Sequence, residues 1–113
     1  MPYISSERTR REQLRNGEPA LTAGELNYQI FYYVKHKYYK TSEIENFIKQ
    51  FLGTNPNYQK YNDMTGCLIR CYKEIKRRLD LDLKKTFERF MESYDNEIAK
   101  YEDKKIIENG DVE

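Results

Sequence analysis

The residues best suited to chemistry lie in one stretch, NYQIFYYVKHKYYK (27–40). There Tyr28, Phe31, Tyr32, Tyr33, Tyr38 and Tyr39 alternate with Lys35, His36, Lys37 and Lys40. Aromatic faces stack on nucleobases and cations neutralise phosphates, as in sites for nucleotides and single-stranded nucleic acids. At helical spacing these rings surround the helix, so they cannot all face one core. In a chain without Trp, tyrosines also serve as ordinary amphipathic core and interface residues. A second basic cluster, Arg70, Lys73, Lys76, Arg77 and Arg78, lies further along, with Arg70, Lys73 and Arg77 on one helical face at i, i+3, i+7. Convergence of the two clusters would make an anion site. Tyr32, Lys35, Tyr39, Arg70, Lys73 and Arg77 are the expected contact set, the rings stacking a base and the cations meeting phosphate. The same spacing also describes a solvated helix face.

Other reactive types are sparse. Cys67 and Cys71 are four residues apart and share a helix face, but a structural zinc site needs four ligands and the chain has one His, His36, with no CxxC or HxxxH spacing. Buried, unreactive thiols are the expectation, since a catalytic cysteine would need a His partner. His36, among lysines, reads as a surface residue. No Gly-rich phosphate loop, HExxH, GxSxG or kinase signature occurs, and no carboxylate pair stands apart from the general charge. A protein without catalytic residues, metal or cofactor is expected.

The elements that must position these residues follow from periodicity. With 113 residues the chain suits one domain. Apolar residues at 38% and charged residues at 35% make a thin core and a wet surface. Residues 1–21 carry Arg8, Arg10, Arg11 and Arg15 without apolar periodicity and read as a polar, Arg-rich arm with one loose helical turn. Thr22 and Glu25 form a capping-box spacing that opens a helix over about 23–39, with Leu26, Ile30, Tyr33 and Val34 on one face. Ser42 and Glu45 repeat that spacing before a second helix over about 43–52, closed by Gly53. Thr54 to Asn57 break the chain at Pro56.

From Tyr58 on, Tyr61, Thr65, Leu68, Tyr72, Ile75 and Leu79 form a heptad seam. It continues through Leu83, Phe87, Phe90, Tyr94, Ile98 and Tyr101. An unbroken helix over 58–102 would be about 67 Å long at 1.5 Å per residue, more than two short helices can cover. Either it breaks near Asp80 or Asp82, each able to cap a new start, or its far half packs on another subunit. The expected fold is all-α: a helical hairpin packed on a long third helix, with Leu79 to Tyr101 as the seam of a homo-oligomer. The division is an arm (1–21), one helical domain (22–107) and an acidic tail (108–113). Gly66, inside the third helix, costs about 1 kcal/mol relative to Ala. A close helix crossing, the commoner reason, or approach of a ligand to the backbone would justify it.

Charge narrows the partners. Twenty basic and nineteen acidic residues leave +1, which excludes binding through bulk charge alone. The sum hides asymmetry: residues 1–87 hold sixteen basic and ten acidic side chains (+6), residues 88–113 four and nine (−5). A basic body and an acidic end could pair head to tail between copies. Met1 to Asn16 lacks the apolar core of a secretory signal, and the longest apolar run, Ile30 to Val34, is far short of the ~20 residues of a membrane span. No membrane partner is expected, and two cysteines without a secretion signal imply a reducing cytoplasm.

Four short pieces in order carry a resemblance: Pro2-Tyr3-Ile4 with Arg8 to Arg11; Gly24-Glu25-Leu26-Asn27-Tyr28; Tyr61-Asn62-Asp63 with Gly66 leading into Lys76-Arg77-Arg78; and Tyr101-Glu102-Asp103 with Glu108-Asn109-Gly110-Asp111-Val112. Together they resemble an uncharacterised family of small bacteriophage and prophage proteins, over about half of the chain. The sequence departs from the shorter members by an insertion at about 80–98. The resemblance implies a phage-related origin, a bacterial host cytoplasm and no assigned enzymatic activity. Small phage proteins of this size are often host-takeover or anti-defence factors that act by binding, and some unrelated ones sequester nucleotide immune signals between subunits. The expected function is therefore a non-enzymatic, oligomeric binding protein that captures an anionic nucleotide-type signal. The alternatives are a protein–protein inhibitor of a host factor, with exposed tyrosines as anchors, a small nucleic-acid-binding protein using the Arg-rich segment, and a structural role in the virion.

Overall fold

The computed structural model describes residues 2–37 and 40–100, with side chains from Glu7 onward. In order these form α1 (Pro2–Arg15), α2 (Ala23–His36), α3 (Thr41–Leu52), α4 (Tyr58–Leu79) and α5 (Lys84–Glu92). After a turn at Ser93 and Tyr94, residues 95–100 are again helical. No strand occurs among the described residues.

The first departure from the sequence expectation is α1. Residues 2–15 are helix rather than a loose arm, and Pro2 stands at the first helical position, where its missing N–H is not needed. The helix ends in a Schellman pair: Gly17 N–H donates to the Leu14 carbonyl (3.1 Å) and Glu18 N–H to the Gln13 carbonyl (3.0 Å). Gly17 supplies the positive φ of 96° that this ending requires. Only Leu14 of the helix's described side chains is buried, joined by Ala20 beyond it, so apolar contact alone does not hold α1 in place. Polar contacts to α2 complete the docking. The Gln29 amide donates to the Leu14 and Glu18 carbonyls, both at 2.8 Å. Arg10 grips the Glu25 carboxylate through Nε (2.9 Å) and a terminal nitrogen (2.7 Å).

α2 starts at the predicted cap, with the return bond to Glu25 coming from the residue before it. The Thr22 hydroxyl accepts from Glu25 N–H at 3.1 Å, while the Glu25 carboxylate accepts from Leu21 N–H at 2.9 Å. It ends at His36, before the expected 39; Tyr38 and Tyr39 lie outside the described residues. Leu26, Ile30 and Val34 are buried as their spacing predicts. α3 begins two residues earlier than Ser42 would set. Lys40 is its N-cap without a side-chain bond, and Ser42 lies inside the helix. Its i, i+3, i+4, i+7 residues Ile44, Phe47, Ile48 and Phe51 are all buried, and Tyr33 meets Phe47 edge-on at 5.5 Å, closing the α2–α3 hairpin. Gly53 ends α3 with φ 75°.

α4 is the long third helix, capped by the Asn57 side chain on Lys60 N–H at 2.8 Å. It stops at Leu79 because Asp80 adopts the left-handed conformation (φ 55°, ψ 36°), one that Asp tolerates better than most residues. Of the two alternatives for 58–102, the break is the one found. Asp80 ends a helix rather than starting one, and Asp82 accepts from Lys84 N–H at 3.2 Å as α5 begins. α5 then returns antiparallel to α4: Phe87 meets Tyr72 at 6.2 Å and Tyr94 meets Tyr61 at 6.0 Å.

This return places much of the expected seam within the chain itself. Phe87 and Phe90 are buried in the chain's own core, and Leu79, Leu83, Tyr94 and Ile98 pack partly buried against it. Tyr101 lies outside the described residues. Tyr61, Met64, Leu68, Cys71 and Ile75 form the buried stripe of α4, widened because α2 covers one flank and α5 another.

Two outcomes follow. Phe87→Ala should lower the unfolding free energy by about 3–5 kcal/mol in urea titrations, with a parent midpoint independent of protein concentration; a midpoint rising with concentration would return these residues to an intersubunit seam. The Arg10 hydrogen bond, ahead of other causes, holds the Glu25 carboxyl below its ordinary pKa. Its contribution is therefore complete above the unfolded value of about 4.3 and is lost as pH falls through the lower folded value. Near-ultraviolet dichroism of the tyrosines should show parent and Arg10→Ala converging in stability as pH drops through that window.

Candidate functional site

The outward face of α2 is built on its i, i+4, i+8 row. Tyr28 and Tyr32 stack with centroids 6.1 Å apart and planes 27° apart, and Tyr32 lies against His36 at 4.5 Å. Arginines from α1 lie over these rings. The Arg15 guanidinium is 4.7 Å from the Tyr32 centroid and 5.9 Å from that of Tyr28, and Arg11 is 5.7 Å from Tyr28. Arg15 Nε–H also donates to the Tyr28 hydroxyl oxygen at 2.6 Å. From α4, Arg78 stands 5.8 Å from the Phe31 ring. Cations from two helices thus flank the aromatic residues of a third. Guanidinium on an aromatic face keeps N–H donors free for an anion while the ring presents a stacking surface. Glu7 and Glu12 share the hollow with Arg8, Arg11 and Arg15 and temper its charge.

Between α2 and α4 the face runs into a polar groove of about 250 Å³, whose lining includes Asn27, Asn62, Asp63, Gly66 and Arg70. Arg70 also borders Tyr28, Phe31 and Arg78 in the adjoining hollow. A cleft between α3 and α5, about 290 Å³, is floored by Ile48 and Phe90 and edged by Glu45, Lys49 and Arg89. It lacks the repeated pairing of cation and ring.

The structure divides the contact set expected from sequence. Tyr32 belongs to the aromatic row and Lys35 is exposed one turn further along α2. Arg70 reaches the α2 face. Lys73 is exposed on α4 outside the lining of the groove, and Arg77 is bound to the Glu74 carboxylate at 2.8 and 3.1 Å. Tyr39 lies outside the described residues. Sequence reasoning missed Arg11 and Arg15 because it left residues 1–21 unfolded. The 8, 11, 15 spacing of arginines behind a Pro2 helix start was the available signal.

His36 is exposed as expected. Cys67 and Cys71 are free and buried; burial pushes the Cys67 thiol up to about 12 and the Cys71 thiol upward as well. No group of three His, Cys, Asp or Glu able to hold a metal occurs among the described residues, and no helix there is long and apolar enough to cross a membrane.

A family model described as a domain of unknown function, DUF6899, matches residues 1–112. The chain belongs to the DUF6899 family. The match confirms membership of an uncharacterised family and reaches beyond α1–α5 to nearly the whole chain. No curated protein and no solved structure matches this DUF6899 chain.

The raised thiol pKa values give a direct check on the packing beneath the site. In the folded DUF6899 protein at neutral pH, Cys67 and Cys71 should react with a disulfide reagent only as fast as the chain unfolds, because attack requires thiolate and access. Both should react within seconds in denaturant. Rapid labelling of the native protein would show the α2–α4 interface to be open.

Proposed function

We propose that this DUF6899 protein is a non-enzymatic binding protein that captures an anionic, base-bearing ligand of nucleotide type on the α1–α2–α4 face. The observation that carries the reading is the placement of Arg11 and Arg15 over Tyr28 and Tyr32, which supplies charge and stacking surface together. Phosphate would meet the guanidiniums of Arg11, Arg15 and Arg70, and a base would stack beside the aromatic row. The face is formed within one chain, so capture does not require a pocket between subunits. In the phage setting implied by the resemblance, tight capture without turnover would let the protein act as an anti-defence factor that removes a nucleotide signal in the host cytoplasm. A single-stranded nucleic acid offers the same base and phosphate chemistry, and the salt dependence of binding separates the two. A strand that displaces many counterions loses affinity steeply with salt, whereas a single nucleotide with few phosphate contacts loses less.

Calorimetric titration with guanosine and adenosine monophosphates and with a short oligothymidine tests this. Replacing Arg11 and Arg15 together by Ala should weaken whichever ligand binds by tenfold or more, since a hydrogen bond to a charged group contributes about 1.5–3 kcal/mol. Lys73→Ala should leave affinity unchanged. Unchanged affinity in the double variant, with helicity retained, would overturn the assignment.

A further inference from the structure

Gly66 sits in the middle of α4, a position unfavourable to glycine. Neither usual structural reason applies to it. A Cβ built on Gly66 meets no atom of the described residues within 4 Å, so none of the described helices crosses closely there, and the positive-φ glycines among those residues are Gly17 and Gly53. The crossing expected from sequence is therefore absent, and ligand approach is the remaining reason for a bare turn. What the missing side chain leaves open is the polar groove between α2 and α4.

The groove has two unlike ends. Asp63, Gly66 and Arg70 are spaced i, i+3, i+7 on α4, so the backbone positions of the acid and the base are about 10.5 Å apart along the axis at 1.5 Å per residue. Asp63 uses one carboxylate oxygen to accept from Gln59 at 2.8 Å and has no second partner among the described residues. Arg70 has no hydrogen-bond or ion-pair partner among the described residues, and the side-chain amides of Asn27 and Asn62 have none either. One end of the groove wants hydrogen-bond donors, the other an anion, with two uncommitted amides alongside a turn that carries no side chain.

We infer that this groove is a subsite for a guanine nucleotide, with the base edge at Asp63, its body over Gly66 and its phosphate at Arg70, which moves the base from beside the aromatic row into the groove that continues it. The inference rests on the nucleotide-binding reading above and assigns its base specificity. Guanine turns N1–H and its exocyclic amine toward a carboxylate as two parallel donors. Adenine would set the N1 lone pair against the same oxygens. The Asn27 and Asn62 amides can serve the remaining acceptors, such as O6 and N7, and Arg70 forms a charge-assisted bond to phosphate.

Calorimetry with guanosine monophosphate (GMP) and adenosine monophosphate (AMP), on parent, Gly66→Ala and Asp63→Asn, tests the subsite. The parent should prefer GMP by at least tenfold. Gly66→Ala should raise the melting temperature by about 4 °C, since Ala is the better helix former and its methyl meets nothing, yet weaken GMP binding tenfold or more by filling the groove. Asp63→Asn should abolish the preference for GMP. Gly66→Ala that is more stable and binds GMP like the parent would overturn the subsite, as would equal affinity of the parent for GMP and AMP; in either case nucleotide capture by the arginine–tyrosine face would stand. Binding of neither nucleotide to the parent would overturn both.

Discussion

The buried Gln29 amide is the contact on which the arrangement of the face depends. Its two protons go to the carbonyls of Leu14 and Glu18, on either side of the turn that ends α1. Leu14 lies in the last turn of that helix, whose carbonyls have no partner within the helix, and its oxygen already accepts from Gly17 N–H. Gln29 is itself buried, with its own carbonyl oxygen unpartnered among the described residues. An unsatisfied buried polar group is unfavourable, so burying this amide beneath α1 requires the end of α1 to present both carbonyls to it. Arg10 and Glu25 fasten the same interface nearer its rim, where each side chain is about one-quarter exposed. Their pairing is modest in energy but sets the azimuth of α1, and with it the side on which Arg11 and Arg15 emerge.

The return of α5 along α4 is the second constraint. A heptad row is equally satisfied by another copy of the chain or by a segment folded back on itself, because periodicity defines a face and not its partner. The decision falls on Asp80. Its left-handed backbone and the bond from its N–H to the Lys76 carbonyl (3.0 Å) close α4, and the short link through Asp82 turns Phe87 and Phe90 onto the core. This takes Phe87 and Phe90 from the surface into the chain's own core. It also explains the thin composition: a domain with so few apolar residues uses both halves of the row to bury one core.

Legibility of the site followed the same division. The aromatic row on α2 and the arginines of α4 could be read directly, since residue type and 3.6-residue spacing state which side chains share a face. Which of those faces meet could not. Arg77 is neutralised locally by Glu74, three residues away, while Arg70, on the same helix, comes to border α2. Gly66 was conspicuous in the sequence, but whether a helix or open space lay before it depended on the crossing of α2 and α4.

By itself the sequence determined the all-helical class, the starts of α2 and α4 at capping or breaking residues, the buried faces of α2 and α3, and the exclusion of the thiols from surface chemistry. These are consequences of local spacing, propensity and hydropathy, which act within a few turns. Only the tertiary structure decided that residues 2–15 are a docked helix, that the C-terminal row folds back on its own chain, and that arginines from two helices flank the α2 rings. The first and third rest on polar groups far apart in sequence finding one another, such as Gln29 with Leu14 or Arg15 with Tyr28, and the second on which core the apolar row meets; hydrophobic periodicity records neither.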